Sequence, residues 1–69
     1  MPLTMVNAGE KKKILRINGK DETRRFLNNL GLVEGCEVAV VSKISGDLII
    51  NIKDTKIAID RTMANRIVV

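Results

Sequence analysis

The sequence predicts a mainly β fold: a small, partly open β-barrel carrying one short α-helix at about residues 21–30. Three observations lead there. Short segments rich in Val, Leu and Ile, several with apolar and polar residues in alternation, recur along the chain and end in turn signals such as Asn18-Gly19 and Ser45-Gly46-Asp47. Only one longer segment, beginning at Asp21, switches to helical spacing. The chain has 69 residues, 45% of them hydrophobic, with a single proline, so it makes one domain (1–69) around one small core. A chain of this size buries only about 60% of the surface its unfolded form exposes. Several short strands joined by tight turns, with one early helix, then point to a small, partly open β-barrel.

Taken in order, "PLTMV" (Pro2–Val6) reads as a first strand or as a strap over one end of the barrel, and "NAGEK" as a break. "KKKILRIN" (Lys11–Asn18) reads as a strand through Ile14, Leu15 and Ile17. From Asp21, expected to cap the helix, Thr23, Phe26, Leu27 and Leu30 follow at i, i+3, i+4 and i+7 spacing and form one face. Arg24, Arg25, Asn28 and Asn29 fall on the other side. Phe26, Leu27 and Leu30 are expected in the core.

Two glycines then shape a corner. Gly31 is expected at the position just past the helix, where a left-handed backbone costs glycine nothing. Leu32 would then fold back onto Leu27, the apolar pair of a Schellman motif. Val33-Glu34-Gly35-Cys36 reads as a type II turn with Gly35 at the position that requires positive φ. The strand "EVAVVSKI" follows, with Val38 and Val40 inward. "SGD" turns the chain, and "LIINIK" sends Leu48, Ile50 and Ile52 inward with Asn51 and Lys53 outward. "DT" is expected to turn it again into "KIAI". Asp60 is expected to cap one helical turn, "RTMA", before a final strand "RIVV".

The composition removes several function classes. There is no histidine and one cysteine, Cys36, so a single chain has no ligands for the usual tetrahedral zinc site or a histidine-rich iron site. Ser-His-Asp and Cys-His pairs are equally out of reach. The carboxylates are scattered, and no phosphate-cradling G-x-x-x-x-G-K-[ST] loop occurs. The expectation is a non-enzyme without cofactor or metal. Cys36, flanked by Glu34 and Glu37, reads as a small apolar filler, and a lone cysteine suits a reducing cytoplasm. The "MPLTMVNAGEKKK" start has no apolar run behind basic residues, so no secretory signal is expected, and no stretch reaches the roughly 18 apolar residues that cross a bilayer.

The net charge is +4, and seven of the twelve basic residues fall between Lys11 and Arg25. Such a stripe can serve phosphates. Small barrels that bind single strands stack bases on exposed aromatics, and the only aromatic is Phe26. A solvated basic face, or one aimed at an acidic protein, fits better than nucleic acid.

Three elements together resemble the FeoA family of small bacterial proteins associated with ferrous iron transport. They are "RRFLNNLGLVEGCEVAVV", a basic helix followed by L-G-L-x-x-G and a strand; the "SGD" turn with "LIINI"; and "KIAIDRTMANRIVV". The likeness runs from Leu3 to Val69. The chain departs from the family pattern at Asp60, with the basic residue arriving at Arg61, and in a Ser45–Asp47 turn without proline. The resemblance implies an SH3-like barrel and a cytoplasmic accessory role beside FeoB, the membrane transporter with a cytoplasmic G domain. Related domains end metal-dependent repressors, so a metal-sensing domain is the alternative beside nucleic-acid binding. The residues before the first strand do not read as a helix-turn-helix, and one Phe is not expected to line a groove for proline-rich peptides.

The expected docking surface is the polar face of the helix with the corner after it. Arg24 and Arg25 offer charge there, and Leu32 and Val33 leave an apolar rim; local pairing of the arginines with Asp21 or Glu22 is the competing expectation. Gly31 and Gly35 hold the corner. An exposed edge strand in so small a barrel leaves self-association open.

Overall fold

Two tight hairpins build the main sheet of the computed structural model, which describes all 69 residues. Ser45 (φ 51°) and Gly46 (φ 90°) both have positive φ, the backbone of a type I′ turn, whose twist matches that of the strands it joins. Across it β3 (Glu37–Ile44) pairs antiparallel with β4 (Asp47–Ile52), Ile44 opposite Asp47. The second hairpin turns at Lys53 (φ 48°) and Asp54 (φ 64°) and joins β4 to β5 (Thr55–Ile59), Ile52 opposite Thr55. The turn expected at Asp54-Thr55 therefore lies one residue earlier. Lys53 carries no turn signature, and the two-residue loop leaves Thr55 free to begin the strand.

β1 (Lys11–Lys13) joins the other side of β3, giving the order β1-β3-β4-β5. A second, two-stranded sheet pairs β2 (Arg16–Ile17) with β6 (Ile67–Val68). The single strand expected over Lys11–Asn18 is thus two. The Ile14 N–H donates to the Cys36 carbonyl at 2.8 Å, whereas the next N–H, of Leu15, donates to the Val68 carbonyl at 2.8 Å. The chain changes sheets between these two residues, as a barrel corner requires. Ile14 and Ile17 are buried and Leu15 faces solvent.

The start of the chain is the strap rather than the strand. Leu3–Met5 form a 3-10 turn that buries Leu3, and Val6 beside it is also buried. Pro2 bridges to Val68, and the Val69 N–H donates to the Met1 carbonyl at 2.8 Å. This ties the two termini together at one end of the barrel.

α1 (Asp21–Asn29) is the expected helix, but Lys20 occupies the cap position and makes no side-chain cap. Asp21 lies inside the first turn with Glu22, where a negative charge meets the positive end of the helix dipole. Leu27 is fully buried and Leu30 packs half-buried against the core. Phe26 does not join them; it is 50% exposed. It sits about 100° around the helix from Leu27, and a nine-residue helix on so small a barrel buries only a narrow stripe. α2 (Arg61–Ala64) begins as expected, the Asp60 carboxylate accepting the Met63 N–H at 2.8 Å.

The buried residues form one cluster, all hydrophobic. The main sheet sends in Val38, Val40, Leu48, Ile50, Ile52 and Ile59, as the alternation predicted. Leu27, Leu32, Leu3 and Ile67 close the barrel from the helix, the corner, the strap and the last strand. The register shifts between Val40 and Ser42, a bulge at the exposed Val41.

Candidate functional site

The corner after α1 follows from two glycines. With Leu30 at the helix cap, the Leu32 N–H donates to the Leu27 carbonyl at 3.0 Å and the Gly31 N–H to the Asn28 carbonyl at 2.9 Å. Those are the two bonds of a Schellman motif. Gly31 has φ 98°, and a Cβ built there would meet only Ile52 Cγ2 at 3.7 Å, an ordinary contact. The backbone angle, not the space, is what requires glycine. Gly35, φ 88°, follows in a turn closed by the Cys36 N–H donating to the Val33 carbonyl at 3.2 Å. Ile14 pins the turn to the barrel: its carbonyl accepts the Gly35 N–H at 2.8 Å and its own N–H reaches Cys36.

That corner faces the polar side of α1 across a cleft of about 220 Å³, lined by Ile17, Arg24, Asn28, Val33 and Glu34. Arg24 and Asn28 are one helical turn apart and form one wall. Val33 and Glu34 supply the opposite wall from the corner, and Ile17 of β2 contributes apolar surface. A positive and a negative side chain thus flank an apolar strip. Such a cleft can receive a side chain from a protein surface; it holds no nucleophile and no acid–base pair.

The residues expected to dock a partner separate here. Arg24 and Val33 share the cleft. Arg25 is exposed on α1 but outside it. Leu32 is a correction: it has 0% exposure and belongs to the core, because the Schellman bond that folds it back onto Leu27 also takes it out of reach of any partner. The arginines are not paired with Asp21 or Glu22; the one ion pair within 4.0 Å joins Lys12 to Glu10 at 3.9 Å. Asn28 was legible as the residue four after Arg24, whereas Ile17 and Glu34 join the cleft only through the tertiary fold.

A larger cleft of about 430 Å³ lies on the other side of the corner, with Lys11, Cys36, Glu37, Asn51, Lys53 and Asp54 among its lining. Two lysines there balance two carboxylates. Cys36 is half-buried in it as a free thiol, and the Asn51 side-chain oxygen is buried without a partner. No three His, Cys, Asp or Glu residues come together. No helix is long and apolar enough to cross a membrane.

A family model described as the FeoA domain matches residues 1–69. No functionally curated protein matches the chain. Among solved structures it is similar to an iron uptake regulatory protein (FeoA), with 29% identity and a TM-score of 0.89 over 96% of this chain and 88% of that one. It is also similar to FeoA of Stenotrophomonas maltophilia complexed with zinc, described as a procaryotic SH3 domain protein and a candidate ferrous iron transport activating factor. That match has 26% identity and a TM-score of 0.84, over 99% of this chain and 87% of that one. A manganese-dependent transcriptional repressor shares the fold at 16% identity and TM-score 0.88, but the match spans only 39% of the repressor. The barrel is SH3-like, as the resemblance implied.

Proposed function

The chain belongs to the FeoA family, associated with ferrous iron transport, and on that premise we propose that it is a small cytoplasmic accessory protein that docks on a FeoB-type transporter and modulates its activity. The observation that carries this reading is the cleft between α1 and the corner. It presents Arg24, free of any ion pair, beside the partly exposed side chain of Val33, with the buried Ile17 beneath them. A charged group steers an acidic partner, and the apolar strip adds contact that salt does not screen. The description of the Stenotrophomonas maltophilia relative as a candidate transport activating factor points the same way.

The chain supplies no catalytic group in this reading. Its work is differential affinity: a module that binds two states of a transporter equally shifts neither, so it must hold one state more tightly. The test is a binding titration against intact FeoB in lipid discs and against its isolated G domain, each with and without a non-hydrolysable GTP analogue. The expected result is saturable binding whose affinity differs between nucleotide states, with a change in GTP hydrolysis at saturation. Absence of binding to both proteins in both states overturns the proposal.

A further inference from the structure

The main sheet ends in two edges, and they are chemically opposite. The type I′ turn at Lys53-Asp54 makes Ile52 and Thr55 a hydrogen-bonded pair, so Thr55, Ile57 and Ile59 bond to β4. The backbone N–H and C=O of Lys56 and Ala58 therefore point away from the sheet, and neither residue takes part in any turn, loop or cap hydrogen bond. Both residues are exposed, and no bulge or proline interrupts β5. At the opposite edge β1 consists of three consecutive lysines, Lys11–Lys13. Lysine on an edge strand is a common device against pairing with another chain. β5 carries only one, Lys56.

We propose that β5 is a self-association edge, along which two copies of this chain pair antiparallel about a two-fold axis at Ile57. That register sets Lys56 opposite Ala58 of the other copy at both ends, so the four outward backbone groups of each chain find partners. Centring on Lys56 instead would set lysine against lysine, which is unfavourable directly across a ladder. The centre becomes a non-hydrogen-bonded Ile57–Ile57 pair, the kind in which opposed side chains come closest. Ile57 fits that role. It faces inward with Ile59 yet stays only half-buried, packed against the core from its open side, because the sheet stops beside it. A second copy would cover it. The same pairing about β1 would oppose lysines at every position.

Sedimentation equilibrium of the parent from about 10 µM to about 1 mM, with amide spectra over the same range, tests the proposal. The expected result is a monomer–dimer equilibrium in which the Lys56 and Ala58 amide resonances move with concentration and the Lys11–Lys13 resonances do not. Ala58→Pro removes an outward donor at an edge position where the fold tolerates proline, and Ala58→Lys opposes lysine to lysine; each should leave a folded monomer throughout the range. Should Ala58→Pro unfold, Ala58→Lys alone decides. A parent that stays monomeric at the highest concentration overturns the proposal, as does a dimer that survives Ala58→Lys.

Discussion

Two places where the backbone takes positive φ solve the same steric problem with different residues. In the corner after α1, Gly31 and Gly35 adopt φ 98° and 88°, angles that cost glycine almost nothing. In the β4–β5 turn the same half of conformational space is occupied by Lys53 and Asp54, at φ 48° and 64°. Each non-glycine residue there carries a cost of roughly 1–2 kcal/mol, reduced for Asp by local hydrogen bonding. The corner, which holds the cleft, is relaxed and pinned by five hydrogen bonds at 2.8–3.2 Å. The hairpin beside the open edge is strained, and only the ladder of β4 with β5 maintains it. The backbone of this protein is therefore better satisfied at the corner after α1 than at the β4–β5 turn.

The comparison can be broken most severely at Leu27. Leu27→Ala removes the buried partner of Leu32 and opens a cavity in a small core; it should cost about 2–5 kcal/mol, read as a lowered urea midpoint. Next comes the corner backbone. Gly35→Ala places a Cβ where nothing lies within 4 Å, so its expected cost of about 1–2 kcal/mol is the price of the angle alone. Gly31→Val should cost more, since a β-branched side chain resists that region further. Equal stability of both variants with the parent would show the corner is not set by its glycines. The smallest effect has the opposite sign. Asp54→Gly should stabilise by about 0.5–1 kcal/mol, the relief of strain less the entropy glycine adds to the unfolded chain; a loss of stability would show the hairpin is not strained.

The contrast also explains what was legible in the sequence. Wherever glycine or an Asx residue carried the geometry, the residue types announced it: Gly31 and Leu32 specified the Schellman motif, Ser45-Gly46 the first hairpin, and Asp60 the cap of α2. The Lys53-Asp54 turn was misplaced by one residue because Asp54 signals a turn but Lys53 does not signal positive φ. The split of Lys11–Asn18 into two strands was hidden for a different reason: the switch between sheets lies in hydrogen bonds to Cys36 and Val68, distant in sequence. Phe26 has the right spacing for the core, and only the narrowness of the contact between α1 and the barrel exposes it. Part of the cleft lining was legible for the same reasons. Arg24 and Val33 flank the cleft, whereas Leu32 was assigned to the surface although the motif that places it also buries it.

The central claim is that the cleft beside α1 docks a partner through charge and apolar contact together. Its most direct test is a titration of FeoB with the parent and with Arg24→Glu, Arg25→Glu and the double variant at several salt concentrations, with circular dichroism as the folding control. Both arginines are exposed and unpaired, so every variant should keep the parent's fold and midpoint. The account predicts the largest loss for the double variant and a larger loss for Arg24→Glu, which lines the cleft, than for Arg25→Glu, which does not. It also predicts a parent affinity that falls with salt toward a floor set by the apolar contact of Val33. A folded double variant that binds as tightly as the parent at every salt concentration would contradict it.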